Sequence, residues 1–380
     1  MTTYLLVSDA FRSPEMRHEI GEPIMDDVIF VEHDGKRVVV GSTLERSIFE
    51  AREDVVDEFW DRHDMGGSAL WRDPSFPAED VMAEVALRAL QRVGASSVTV
   101  PSSFRVQEAD YLRAKGIELV IDDDAWALRR RQKTPGELEG IERAQRAADT
   151  AMLTASRMLR DAEPTKDGLL RFEGEILTCE WIRQTMSAEL TTQGAQSEEI
   201  IVQSGDACLN GHDLGVGPVL PNQSLIIDCF PRDRRTGVYT DMTRTFVPGT
   251  PSAELQKLHA HCCTALEIAF EAIRPGRNDA YTKVIEYFHS QGLPTLDHDE
   301  GEAALREGFT HSLGHGVGLE VHERPRMGMR AEKFRVGDVI AVEPGLYFEG
   351  IGGVRLEDTV LVTDSGVEHF TDPIPYQLEP

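Results

Sequence analysis

The residues that draw attention in this sequence are acids in apolar company. Asp228 lies within Leu225-Ile-Ile-Asp228-Cys-Phe230, Asp241 within Thr240-Asp241-Met-Thr-Arg-Thr245, Glu343 within Val342-Glu343-Pro-Gly345, and Glu357 within Arg355-Leu-Glu357-Asp358. Each reads as a carboxylate on a strand, where an isolated buried charge costs several kcal/mol or more and needs a cationic partner. For any one of them an ordinary ion pair, or a position on the solvent side of the strand, is a sufficient account. The set gains weight from His311-Ser-Leu-Gly-His315-Gly-Val-Gly-Leu-Glu-Val-His322, where glycines at 314, 316 and 318 suit a backbone that is closely approached and leave an imidazole free to enter a site.

Four carboxylates with one imidazole form an oxygen-rich donor set that suits Mn, Fe, Co or Zn rather than a thiolate-selected ion. Four negative charges balance two divalent cations. Without cations, two carboxylates about 4 Å apart repel by roughly 4 kcal/mol at an effective dielectric near 20, so the metal-free site should be destabilised or partly protonated. Two cations about 3.5–4 Å apart can lower the pKa of a shared water and polarise a carbonyl, which is the chemistry of amide hydrolysis.

Elements that could position these residues follow from the pattern. The first third alternates strand-like runs (4–7, 28–31, 38–40, 97–100, 118–121) with a helical stretch at 79–93, which predicts an α/β domain over 1–130. A second domain over 131–380 opens with Thr134-Pro135-Gly136-Glu137, which has the form of a helix start with N-cap, proline at the first position and a capping box. Leu138, Ile141, Ala148, Met152, Ala155 and Leu159 then recur at helical spacing, with Gln145 filling the one gap. Further helices are predicted over 165–187, 251–273 and 280–291, and strands over 225–230, 242–247, 339–342 and 354–362. There is no short repeat or low-complexity segment.

Composition narrows the function class. With 66 acidic against 39 basic residues, the formal charge of -27 repels nucleic-acid phosphates and anionic lipid. The one basic run, Arg129, Arg130, Arg131 and Lys133, reads as a solvated connector. Five cysteines at irregular spacings make a poor disulfide framework and suit a reducing compartment. The first residues lack the form of a signal peptide, and no apolar run approaches the roughly 20 residues of a membrane span. A cytoplasmic protein is expected, with no nucleic-acid or membrane partner.

The quoted segments, in this order, resemble the pita-bread metallopeptidases: aminopeptidase P, proline dipeptidase and methionine aminopeptidase, with creatinase as a non-metal relative. The resemblance runs from about Arg131 to the end, and the first third is similar to the creatinase-type N-terminal domain. It implies an α/β (α+β) protein whose C-terminal part has the pita-bread fold, a curved antiparallel sheet backed by helices with a dinuclear site in its concavity. Carried over residue by residue, Asp228 would chelate one metal, Asp241 and Glu357 would bridge both, and His315 and Glu343 would hold the other. Glu343 corresponds to the proton shuttle, His212 to a residue that contacts substrate near the scissile bond, and His322 to one that stabilises the tetrahedral intermediate. His311 would line the pocket, and Arg355 would orient the carboxylates. Read without the resemblance, His212 is as well explained as a satisfied polar residue and Arg355 as a structural ion-pair partner.

The resemblance also implies two divalent ions, manganese first with cobalt or zinc as alternatives, a homodimer, and a short peptide substrate. The Glu320-Val-His322-Glu-Arg-Pro325 segment and the N-terminal domain are more similar to the proline-specific branch, so hydrolysis after the residue preceding proline is expected. Release of N-terminal Met, creatine-like C–N hydrolysis and a non-catalytic binding protein that retains the fold are the alternatives. Two departures bear on the pocket. Asp228 and Asp241 lie two positions further apart than is usual in the family, an even insertion that preserves side-chain facing. Cys229-Phe230 and Val238 replace a common glycine and tyrosine. A rival cluster, His259-Ala-His261-Cys262-Cys263, falls in a helical pattern and cannot converge on one ion. Asp297-His-Asp-Glu300 reads as an exposed acidic loop, and Gly314 to Gly318 lacks the Lys and Ser/Thr of a phosphate loop.

Overall fold

Two large sheets organise the chain, one in each of the units Met1–Arg130 and Arg131–Pro380. The computed structural model describes residues 2–52, 54–296 and 305–380; the acidic run at 297–300 lies outside the described residues.

In the first unit, six strands run in the order Glu58–Asp61, Lys36–Gly41, Val28–His33, Tyr4–Ser8, Ser97–Val100 and Glu118–Ile121. The inner strands read as near-continuous apolar runs because both faces are covered. Leu5, Val7, Ile29 and Val31 pack with Val85 and Leu90 of the helix Val81–Val93. Leu6, Phe30 and Val39 pack on the other face with Met16, Ile20 and Trp126.

The second unit begins with the helix Pro135–Arg160, whose Thr134–Glu137 capping box is formed as predicted. Its Ala148, Met152, Ala155 and Leu159 pack with Ile182 and Met186 of the helix Cys179–Thr192 and with Ile227 and Met242 of the main sheet. The helices Ala253–Ala272 and Ala280–Ser290 cover Ile340, Val342 and Val360 of the same sheet. That antiparallel sheet has eight strands: Ile200–Ser204, Leu225–Cys229, Met242–Phe246, Glu357–Val362, Val339–Val342, Gly314–Gly316 and Glu323–Met327 in order, with Val367–His369 beside Glu357–Val362.

Two expectations are corrected. The run 165–187 is not one helix: a ribbon of short strands, Glu163–Pro164, Leu170–Phe172 and Glu175–Ile176, precedes the helix Cys179–Thr192. Asp167-Gly168 and Glu173-Gly174 turn the ribbon, and Thr178, accepting from the Trp181 amide at 3.2 Å, starts the helix. The basic run is not a solvated connector either. Arg130, Arg131 and Lys133 are buried. Arg129 donates to Glu19 and Glu32 at 2.7 and 2.6 Å, Arg130 to Glu15 at 3.0 Å and Arg131 to Asp338 at 2.8 Å, while Lys133 pairs with Glu323. Carboxylates remote in sequence satisfy these cations, which local charge density cannot reveal.

Candidate metal centre

Strand register puts the acids on one face. Asp228 lies opposite Thr243, and Thr243 opposite Glu357, so these three point the same way across adjacent strands. Asp241 precedes Thr243 by two residues and shares its face. His315 lies opposite Ala341, which lies opposite Thr359, two residues after Glu357 and therefore also on that face. Glu343 continues the same alternation beyond Ala341. The enlarged hairpin between Asp228 and Asp241 does not disturb this parity: Arg232–Asp233 pairs with Ala195–Gln196, and Arg143 grips Asp233 with two bonds of 2.9 and 3.0 Å.

Nε2 of His315 stands 3.8 Å from Asp241 Oδ2, 3.8 Å from Glu343 Oε1 and 4.0 Å from Glu357 Oε1. Among the described residues, Asp241, His315 and Glu357 form the one group with ligand atoms all within 4.8 Å of one another. His315 Nδ1 lies 3.1 Å from the Gly316 carbonyl, which fixes that nitrogen as the donor and leaves Nε2 with its lone pair toward the acids. Asp241 and Glu357 are 4% and 2% exposed. Oδ1 of Asp228 and Oδ1 of Asp241 are buried without a partner among the described residues.

The electrostatics match this burial. Desolvation and the neighbouring acids push Asp241 and Glu357 well above the ordinary carboxylate range. Burial pushes Glu343 up to about 8, with Arg355 opposing and Asp228 adding. Burial likewise holds His311 and His315 down to about 4. Buried acids that cannot all ionise together, orphaned carboxylate oxygens and a neutral imidazole lone pair aimed at them are the donor set a pair of divalent cations would satisfy.

The other predicted site residues surround this cluster. Arg355 Nη2 donates to Asp228 Oδ2 at 2.7 Å, and its Nη1 lies 3.3 Å from Tyr347 Oη. His311 holds Tyr347 Oη at 2.9 Å through Nε2, and its Nδ1 is 3.9 Å from Glu343 Oε2. The His322 ring sits 4.3 Å from the His315 ring, edge to face. His212 is near enough to lower the pKa of both His311 and His322. The buried Gln203 amide donates to the carbonyls of Asn210 and Asp213, on either side of His212.

Several participants were not singled out from sequence. Thr243 donates to Glu357 Oε2 at 2.6 Å, and Thr359 Oγ1 accepts the Asp241 amide and donates to the Asp241 carbonyl, both at 2.9 Å. Each threonine lies two residues after an acid of the cluster, a period that could have flagged it. The run 354–362 is two strands, Gly352–Arg355 and Glu357–Val362. The rival cluster is confirmed as helical: His261 bonds Tyr287 at 2.9 Å, Cys262 is fully buried, and Cys263 Sγ is 3.7 Å from His259.

Residues 139–364 match metallopeptidase family M24. The chain is 30% identical over 241 residues to the Xaa-Pro dipeptidase of Pyrococcus furiosus, a match covering 63% of this chain and 62% of that protein. It is 39% identical over 134 residues to the Xaa-Pro dipeptidase of Pyrococcus horikoshii, covering 35% of each. The matched segments thus span less than two thirds of these relatives. Among solved structures, the X-Pro aminopeptidase from Thermotoga maritima superposes with a TM-score of 0.76 at 20% identity, covering 99% of this chain and 97% of that one. The prolidase from Pyrococcus furiosus gives 0.74 at 21% identity, with the same coverage. This likeness bears out the α/β architecture and the pita-bread fold expected from the sequence. Every acid of the cluster, and His315 with them, falls inside the family match, and the chain belongs to metallopeptidase family M24.

Proposed function

We propose that this protein is a dinuclear metal-dependent exopeptidase that hydrolyses the Xaa-Pro bond of short peptides, as a proline dipeptidase or aminopeptidase P. The observation that carries the reading is the convergence of Asp241, Glu343 and Glu357 on the His315 lone pair, from strands whose register points them to one face. The names of the relatives, Xaa-Pro dipeptidases, support the substrate class. Residues 131–380 act as the catalytic domain and 1–130 as a creatinase-like N-terminal domain.

In this reading Asp228 would hold one ion, His315 and Glu343 the second, and Asp241 and Glu357 would contribute to both. Two divalent ions, manganese first with cobalt or zinc as alternatives, would polarise the scissile carbonyl and acidify a water. Glu343 takes up a proton at its carboxylate and delivers it to the departing proline nitrogen. His322 donates to the carbonyl oxygen as negative charge develops there. His212 contacts the substrate beside the scissile bond, His311 lines the pocket under the hold of Tyr347, and Arg355 orients Asp228. Among the described residues no helix is long and apolar enough to cross a membrane, and the charge of -27 disfavours nucleic acid. The reading extends to a cytoplasmic homodimer.

Mass-spectrometric cleavage of Ala-Pro, Ala-Pro-Gly, Met-Ala-Ser and creatine, with Mn²⁺ and with chelator, tests this. Metal-dependent cutting of the proline peptides alone is expected, and the ratio of dipeptide to tripeptide turnover separates the two activities. Loss of Met alone or turnover of creatine would move the protein to another branch. Metal binding with no cleavage of any member would overturn the Xaa-Pro assignment.

A further inference from the structure

Gln145 interrupts the apolar stripe of the helix Pro135–Arg160, yet it is only 4% exposed. A buried primary amide has donors and an acceptor that must be matched, so its contacts define what it does there. Its Oε1 accepts the hydroxyl of Thr240, and Nε2 donates to Asp149 Oδ1 at 2.9 Å, one helical turn further on. The same Nε2 lies 3.8 Å from Met242 Sδ.

Thr240 and Met242 are the residues on either side of Asp241. In extended chain, neighbours point to the face opposite the residue between them. Gln145 therefore grips the segment 240–242 from the helix side while Asp241 presents its carboxylate to the other side. Thr359 fixes the same backbone laterally through the Asp241 amide and carbonyl. Thr240, Met242 and Thr243 are fully buried, so the segment has no freedom to adjust at the expense of solvent contacts. An apolar side chain would fill the stripe but would leave the Thr240 hydroxyl without this acceptor.

We propose that Gln145 is a positioning residue for Asp241, holding the segment 240–242 so that the Asp241 carboxylate stays in reach of His315 and the donor set closes on a divalent cation. This rests on the reading of the cluster as a metal centre. Partners that orient a ligand without touching the metal typically control about 10–100-fold in affinity.

The test is titration of chelator-stripped protein with Co²⁺, followed by visible absorption, alongside the melting temperature of the stripped protein. Gln145→Met and Thr240→Val should each raise the Co²⁺ Kd by about tenfold or more. The double variant should lose no more than Gln145→Met alone, because the Thr240 hydroxyl acts through its bond to Gln145, and Thr240→Ser, which keeps the hydroxyl, should bind as the unaltered protein does. Unchanged Kd with a lowered melting temperature would mean a merely structural role and overturn the proposal, as would losses that add in the double variant. Should Gln145→Met fail to fold, Thr240→Val against Thr240→Ser carries the same comparison. Protein that takes up no Co²⁺ before any substitution would overturn the metal-centre reading instead, a separate outcome.

Discussion

The guanidinium of Arg355 donates to Oδ2 of Asp228 across 2.7 Å and leaves Oδ1 of that carboxylate buried, without a partner among the described residues. The same guanidinium reaches Tyr347 through its other terminal nitrogen, so a planar fork spans two elements of the site. One oxygen is fixed and one is presented, which is the geometry an oriented ligand needs.

Replacing Arg355 by Leu breaks a buried pair, its side chains 5% and 13% exposed, and should cost about 3–5 kcal/mol of stability. Turnover of Ala-Pro should fall by about 10–100-fold. Arg355→Lys restores a charge without the fork, so it should recover part of the melting temperature but little turnover. Thermal melts with steady-state kinetics check both; a lysine variant with full turnover would mean that charge alone suffices.

The buried acids set a pH window for the chelated protein. Glu343, at about 8, and Asp241 and Glu357, held well above the ordinary range, keep protons in the folded state that the unfolded chain has already released. A raised folded-state pKa gives stability that is complete below the unfolded value and is lost as pH rises through the folded one. His311 and His315, at about 4, act in the opposite sense, costing stability only below their unfolded pKa of about 6.5. Between about pH 6.5 and 8 only the acids contribute, so the melting temperature of chelated protein should fall as pH rises. Scanning calorimetry at several pH values should show that decline with chelator and lose it with Mn²⁺. A chelated melting temperature that climbed across the window would contradict buried, protonated acids.

How far the sequence could be read depended on whether a residue's partner was local. The helix at Pro135 was legible because Thr134 and Glu137 cap each other three residues apart. Asp228, Asp241, Glu343 and Glu357 were legible because an acid in an apolar strand is anomalous wherever its partner lies. Thr243 and Thr359 were not, since threonine is at home in a strand and only register brings it to Glu357 or Asp241. Arg131 was misread for the complementary reason: Asp338, the acid that buries it, is remote in sequence. Gln145 was visible only as a gap in a stripe, and its meaning came from Thr240 and Met242 across the helix–sheet interface.

The enlarged hairpin docks on the first helix of its unit through a glycine. A Cβ added at Gly140 would collide with Thr236 Oγ1 and come within 2.7 Å of Val238 Cγ2. Gly140→Ala gains about 1 kcal/mol in helix propensity. Forcing the hairpin outward costs about 1–3 kcal/mol, so the net effect should be a lower melting temperature. A rise would mean that the hairpin yields without cost.

Gly314 couples strand spacing to the position of His315. It lies opposite Val342 in the ladder, and an added Cβ would collide with the Ala341 carbonyl oxygen and lie 3.1 Å from the carbonyl carbon. Backbone cannot move aside as a flexible side chain can, so Gly314→Ala must part the strands Gly314–Gly316 and Val339–Val342. His315, the next residue, and Glu343, which follows the second strand, would then separate beyond the present 3.8 Å. A displacement of about 1 Å at a reacting group can cost about 100-fold in rate. Gly314→Ala should therefore lose about that much Ala-Pro turnover and weaken Mn²⁺ binding as well. Gly350→Ala is the control: its φ of 76° makes alanine strained, but nothing lies within 4 Å of the added Cβ. It should cost about 1–2 kcal/mol of stability and leave turnover intact. Equal effects of the two substitutions on turnover would show that general destabilisation, rather than the spacing beside His315, governs activity.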